Sequence, residues 1–184
     1  MRWDRLFDDL EAQLAEAADL DLDAEIADRT RRELATVTLV DRVRASVGRH
    51  LEIHADGAGT VRGELVRAGP DWLLLDDAGR SRVVAVAAVS AASGLADHLL
   101  APAGEVAARL DLRYLLRGLA RDRATVGVTT RDGMHRWGTI DRVGADHLDL
   151  AEHPADTQRR PADVRAVRAI ALAGLAVVSA EPRR

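Results

Sequence analysis

The chain has 184 residues, 47% apolar and 30% charged, which is enough for one ordinary core or two small ones. A net charge of −4 and a pI near 5.9 leave out the basic footprint of a general polyanion binder. There is no cysteine and no lysine, and all 26 basic residues are arginine, so thiolate metal sites, disulfides, cysteine nucleophiles and Schiff-base chemistry are excluded.

Residues 1–36 read as an α-helical N-terminal segment. Trp3, Leu6, Phe7, Leu10, Leu14 and Ala17 recur at three- and four-residue spacing and make one apolar stripe over a helix at 2–19. A second helix is expected at about 22–35, with Leu22, Ile26 and Leu34 on its apolar side and Arg29, Arg31 and Arg32 in solvent. Such short helices need a surface to lie on. The Trp3–Leu6–Phe7–Leu10 stripe is therefore either internal packing or a partner-binding face. The opening MRWDRLFDDL is acidic and amphipathic, unlike a signal peptide. No apolar run approaches the ~20 residues of a membrane span. The expectation is a cytoplasmic protein with no membrane contact.

Residues 37–97 read as a short helix, 38–47, followed by five strands. Leu51, Ile53 and Ala55 alternate with polar neighbours, as do Val61, Gly63 and Leu65, and Asp-Gly and Gly-Pro turns separate the runs. Leu73 and Leu75 face inward on the third strand, which turns Trp72 and Leu74 outward as a candidate partner-binding patch. The stretch VVAVAAVSAASGL supplies a strand, a 3₁₀ turn and a last strand.

Residues 105–180 repeat the pattern. GELVRAGPDWLLL at 63–75 matches GTIDRVGADHLDL at 138–150 at one offset, 138 − 63 = 75, with Gly63/Gly138, Arg67/Arg142, Asp71/Asp146 and Leu75/Leu150 in step. A helix over 105–121, bent near Asp111, precedes strands at 125–130, 135–143 and 147–152. Val83, Val86 and Val89 pair with Val164, Val167 and Ile170 at an offset of 81. The fold class that follows is mainly β with an α-helical N-terminus: two tandem five-stranded barrels, each preceded by a helix.

The string LVDRVRASVGRHLEIHADGAGTVRGELVRAGPDWLLLDD resembles the first half of an Sm-like, SH3-like domain. The whole chain resembles an actinobacterial family in which two such barrels follow a helical N-terminus. In the RNA-binding members of the Sm-like group, the resemblance implies an Asn on the third strand and a basic residue with Gly near the fourth. Here the Asn position holds Trp72 in one unit and His147 in the other, and no matching Arg-Gly pair follows. Assembly through strand edges is a further implication of the resemblance.

No catalytic constellation appears. The five serines include no G-x-S-x-G elbow, and no glycine run forms a phosphate-binding loop. His147, Asp149, Glu152 and His153 lack metal-site spacing, and a solvated strand end accounts for them, as one outward strand face does for His50, Glu52 and His54. Asp71 and Asp146 suit turn capping. The expected function is a non-catalytic protein-interaction or scaffold module, with a protein partner or a homo-oligomer through Trp3, Leu6, Phe7, Leu10, Trp72 and Leu74, and no cofactor or metal. The alternative is an Sm-like nucleic-acid binder using Arg62, Arg67, Arg142 and His147, which the acidic charge disfavours.

Overall fold

The computed structural model describes residues 29, 31–32, 35–97, 110–155 and 159–180. Contacts divide the chain into a unit up to Thr38 and a unit from Leu39 onward. The stripe residues Trp3, Leu6, Phe7 and Leu10 lie outside the described residues. Of the expected second helix, Arg29, Arg31, Arg32 and Ala35 are described, and they are helical and exposed.

The second unit is predominantly β. Helix α1 (Leu39–Arg44) leads into β1 (His50–Ala55), β2 (Gly59–Ala68), β3 (Trp72–Asp77), β4 (Arg80–Ala85), a 3₁₀ turn (Val86–Ala88) and β5 (Val89–Ser93). Helix α2 (Leu112–Arg121) leads into β6 (Thr125–Thr130), β7 (His135–Val143), β8 (His147–Glu152), β9 (Ala166–Ala171), a 3₁₀ turn (Leu172–Gly174) and β10 (Leu175–Ala180). A further 3₁₀ turn, Pro161–Asp163, sits in the loop before β9.

Two separate five-stranded barrels are not what these strands build. All ten form one open antiparallel sheet in the order β5-β1-β2-β3-β4-β10-β6-β7-β8-β9. The joint is β4 against β10, with Val84 opposite Val177, Val83 opposite Val178 and Arg82 opposite Ser179. The reason lies in the side chains. Val83, Val84 and Ala85 are all buried, and so are the four consecutive residues Leu175, Ala176, Val177 and Val178. A strand apolar on both faces cannot stand at an edge and loses less by pairing on both sides. The result is a single hydrophobic core that runs from Val43, Leu51 and Leu65 to Leu116, Ile140 and Leu150.

Within this sheet the two halves share their geometry. Leu51 opposite Gly63 in the first half matches Val126 opposite Gly138 in the second. A bulge falls between Leu65 and Arg67 in β2 and between Ile140 and Arg142 in β7. At both glycines the neighbouring strand comes very close: a Cβ on Gly63 would lie 2.5 Å from the Asp76 carbonyl oxygen, and one on Gly138 would lie 2.2 Å from that of Ala151. Only a residue without Cβ fits such a crossing. The end of the chain departs from the expected valine match. β4 corresponds to β9 at an offset of 171 − 85 = 86, because Trp72 faces Ala85 while His147 faces Ala171. The offset of 81 is corrected by the longer β8–β9 loop.

Helix α2 starts where a cap is available. The Asp111 carboxylate accepts the Tyr114 backbone N–H at 2.8 Å. Burial pushes the Asp111 carboxyl up, but that bond and the Arg113 and Arg117 guanidinium groups together hold it below the usual carboxylate range. Leu112 and Leu116 are buried on one face, while Tyr114 is exposed on the other. α1 makes the corresponding contact with Val43 alone.

Candidate interaction site

The start of β3 does not carry the exposed apolar patch expected at Trp72 and Leu74. Trp72 is only 4% exposed, and its indole N–H donates to the Leu110 carbonyl at 2.7 Å. Leu74 is half-buried against the core. The expected alternation of buried and exposed residues does not appear here, because Trp72 and Leu73 are both buried in the core cluster and the chain entering α2 meets the Trp72 indole. Asp71 completes the contact, its Oδ1 accepting the Leu112 backbone N–H at 2.8 Å. Burial raises the Asp71 carboxyl, and the nearby Asp111 adds to the rise. Capping is thus its role, but toward α2 rather than within its own turn.

At the equivalent place in the second half the contact with α2 is lighter, Arg113 Nη1 donating to the Ala145 carbonyl at 3.4 Å. The Asp146 side chain is 90% exposed and pairs with its neighbour His147, whose Nδ1 lies 2.9 Å away. That bond draws the Asp146 carboxyl downward.

The positions weighed for nucleic-acid contact are scattered, and most face carboxylates. Arg62 Nε donates to Glu52 at 2.7 Å, and Arg142 lies 3.7 Å from Asp149. His147 holds Asp146, and Arg67 is exposed on β2. The Arg62 bond draws Glu52 below the usual carboxylate range. The acidic and histidine positions near β8 do not converge either: among the described residues, no group of three His, Asp or Glu side chains could hold a metal ion. His153 is no part of a solvated strand end. It is buried, with Nδ1 donating to the Pro154 carbonyl at 2.9 Å and Nε2 accepting from the Thr139 hydroxyl at 2.8 Å.

The sheet ends are the sites that the sequence reading left without residues. β9 occupies in its half the place of β4, yet among the described residues no strand pairs with its outer side. Residues 166–169 and Ala171 are exposed and only Ile170 is buried, whereas β4 buries Val83, Val84 and Ala85. Val167 reaches 61% exposure. The hydrogen-bond phase identifies the free groups. Leu172 N–H donates to the Asp146 carbonyl, so residues 168 and 170 bond back to β8 and the N–H groups of Val167, Ala169 and Ala171 point outward. Beside this edge runs a groove of about 840 Å³. Ala169, Ile170 and Ala171 line it together with Arg131 and Asp56, an ion pair 2.8 Å apart. β5, at the other end, is lined by Val89, Ala91 and Ala92 with Ser90 and Ser93. Native edges are commonly blunted by proline or inward-pointing charge. β9 has neither, and its one charged side chain, Arg168, turns back to Glu152.

Among the described residues no helix is long and apolar enough to cross a membrane. No protein-family model matches the chain, and no curated protein matches it closely enough to be counted a relative.

Proposed function

We propose that the chain is a non-catalytic protein-interaction scaffold whose working surfaces are the open strands β9 and β5. A partner supplies an extended segment, which adds to the sheet by main-chain hydrogen bonds. The observation that carries this is the difference between two corresponding strands: β4 is covered by β10, and β9 presents the same backbone to solvent. Small side chains on β9 let another backbone approach, and the groove beside it gives room for alternate side chains. The ion-paired arginines and the negative net charge support protein over nucleic acid as the partner.

The test uses Ala169→Pro, which removes one outward N–H and leaves the bonds to β8 in place. Affinity capture with the parent protein should recover a partner that the variant loses, while thermal melting of the two stays alike. Recovery of the same proteins by both would remove the edge from the account. Tight, steeply salt-dependent binding to a random RNA pool would replace it with the nucleic-acid alternative.

A further inference from the structure

Helix α2 turns a different kind of surface to solvent, one made by side chains rather than by a strand edge. Leu112, Leu116 and Arg117 correspond to Leu39, Val43 and Arg44 of α1 at an offset of 112 − 39 = 73, so Tyr114 stands where α1 has Asp41. In the first half the arginine is held locally: Arg44 lies 3.5 Å from Asp41, and its Nη2 donates to the Gly69 carbonyl at 3.3 Å. In the second half Tyr114 offers no carboxylate and is 57% exposed. Arg117 and Arg121 are exposed one turn apart, and among the described residues neither side chain makes a hydrogen bond or an ion pair. Arg117 acts on the Asp111 carboxyl only through its charge. No acidic residue lies between Asp111 and Asp122.

Gly118 lies among these residues. At 3.6 residues per turn, Tyr114, Arg117, Gly118 and Arg121 fall on one arc of about 100°, opposite the buried Leu112 and Leu116. A glycine inside a helix destabilises it relative to alanine. Among the described residues no atom comes within 4 Å of the place a Cβ on Gly118 would take, so no packing contact there calls for a glycine. What a glycine offers at such a place is close approach for another backbone. We propose that the outward face of α2 docks an acidic α-helix of a partner protein, which crosses at Gly118, packs on Tyr114 and sets its carboxylates against Arg117 and Arg121.

The charges and the spacing fit a helix. Arg117 and Arg121 are about 6 Å apart along the α2 axis, the separation of two glutamates one turn apart on a facing helix. Tyrosine and arginine are the residue types that anchor protein interfaces. Two arginines would neutralise few phosphates, which leaves a nucleic acid little affinity at ordinary salt. Exposed charge pairs are weak and screened, so the contact is modest and salt-sensitive, with Tyr114 carrying its apolar part. The surface uses neither β9 nor β5, so Ala169→Pro should leave it intact.

The probe is a synthetic amphipathic helix of Glu, Ala and Leu, compared with copies that carry Gln or Lys in place of Glu. Binding to the full chain is read by fluorescence anisotropy. The Glu peptide should bind roughly tenfold or more tightly than the Gln peptide and weaken as salt rises. The double variant Arg117→Glu, Arg121→Glu should lose the Glu peptide by roughly the same factor and gain the Lys peptide. That exchange cannot come from an unfolded chain. Gly118→Leu should also weaken the Glu peptide roughly tenfold, because its side chain fills the crossing point. Gly118→Ala should raise the melting temperature, since alanine is the better helix former. No binding of the Glu peptide, equal binding of the Glu and Gln peptides, or full retention by the double variant overturns the proposal. Displacement of the Glu peptide by oligouridylate at lower concentration than by unlabelled Glu peptide would assign the face to nucleic acid instead.

Discussion

Gly57 lies where the two halves meet at their turns, and substituting it measures that contact. Its φ is +68°, and a Cβ there would fall 2.3 Å from the Thr130 carbonyl oxygen, 2.6 Å from Gly133 N and 2.7 Å from the Arg131 carbonyl carbon. All three atoms are backbone of the other half, so no side chain can swing aside. Gly79 is the control: its φ is +83°, and nothing lies within 4 Å of an added Cβ. Alanine at either position meets the left-handed backbone cost, about 1–2 kcal/mol. Gly57→Ala adds the cost of forcing two backbone segments apart, about 1–3 kcal/mol by analogy with overpacked cores. The difference between the variants is therefore about 1–3 kcal/mol. In a domain of this size that corresponds to roughly 2–12 °C in melting temperature beyond the control. Thermal unfolding followed by circular dichroism, with urea titration for the free energy, gives both values. Equal destabilisation by the two alanines would mean that the turns do not touch, and the account of a joined sheet would lose its support at that point.

Trp72→Phe keeps a ring but removes the indole N–H that satisfies the Leu110 carbonyl. It should cost about 1–3 kcal/mol in urea unfolding, and a cost near zero would show that this bond is not made in solution. Asp71→Asn keeps the acceptor for Leu112 and removes the charge that burial and Asp111 disfavour. Because the folded carboxyl of Asp71 is raised, the penalty of the parent is absent below the ordinary value of 3.8, grows as pH rises above it and is complete once pH has passed the folded value. The Asn variant should match the parent under acid conditions and equal or exceed it at neutral pH, and a deficit that grows with pH would contradict this. Asp111 has the opposite sign: its carboxyl is lowered, so the stability it contributes is present above 3.8 and lost on acidification, and Asp111→Ala should be most damaging at neutral pH.

The strands within each half were legible because the repeat marks them, while their joining into one sheet was not. Gly63 and Gly138, with Leu75 and Leu150, fix two strand–turn–strand units at one offset, and the ladders follow that offset pair by pair. Local alternation also placed Leu73 and Leu75 inward. What alternation could not supply was the partner of each edge. Within a half, β4 and β10 read simply as apolar strands, and nothing local says that they bond each other across the chain. One signal was present: Leu175 to Val178 is apolar at four consecutive positions, which suits a strand covered on both faces better than an edge. The valines at 164 and 167 misled, because their spacing imitates 83 and 86 while the longer loop shifts the strand by five residues. Trp72 misled for a different reason. Alternation marked it as outward, but it is buried in the core cluster, with its indole N–H on the carbonyl of Leu110, 38 residues away in sequence. Arg131 and Asp56 were equally unreadable as a pair, since their ion pair joins the turns of different halves.

The central claim is that one sheet runs through both halves, and the β4–β10 ladder is where it stands or falls. Val84 and Val177 form a non-hydrogen-bonded pair in that ladder, as do Arg82 and Ser179, so their Cα atoms lie about 4.5 Å apart. Nuclear Overhauser spectroscopy of the full chain should show direct Hα–Hα cross-peaks for both pairs. With Val84, Val177, Arg82 and Ser179 assigned, the absence of both cross-peaks would mean that the halves fold as separate bodies.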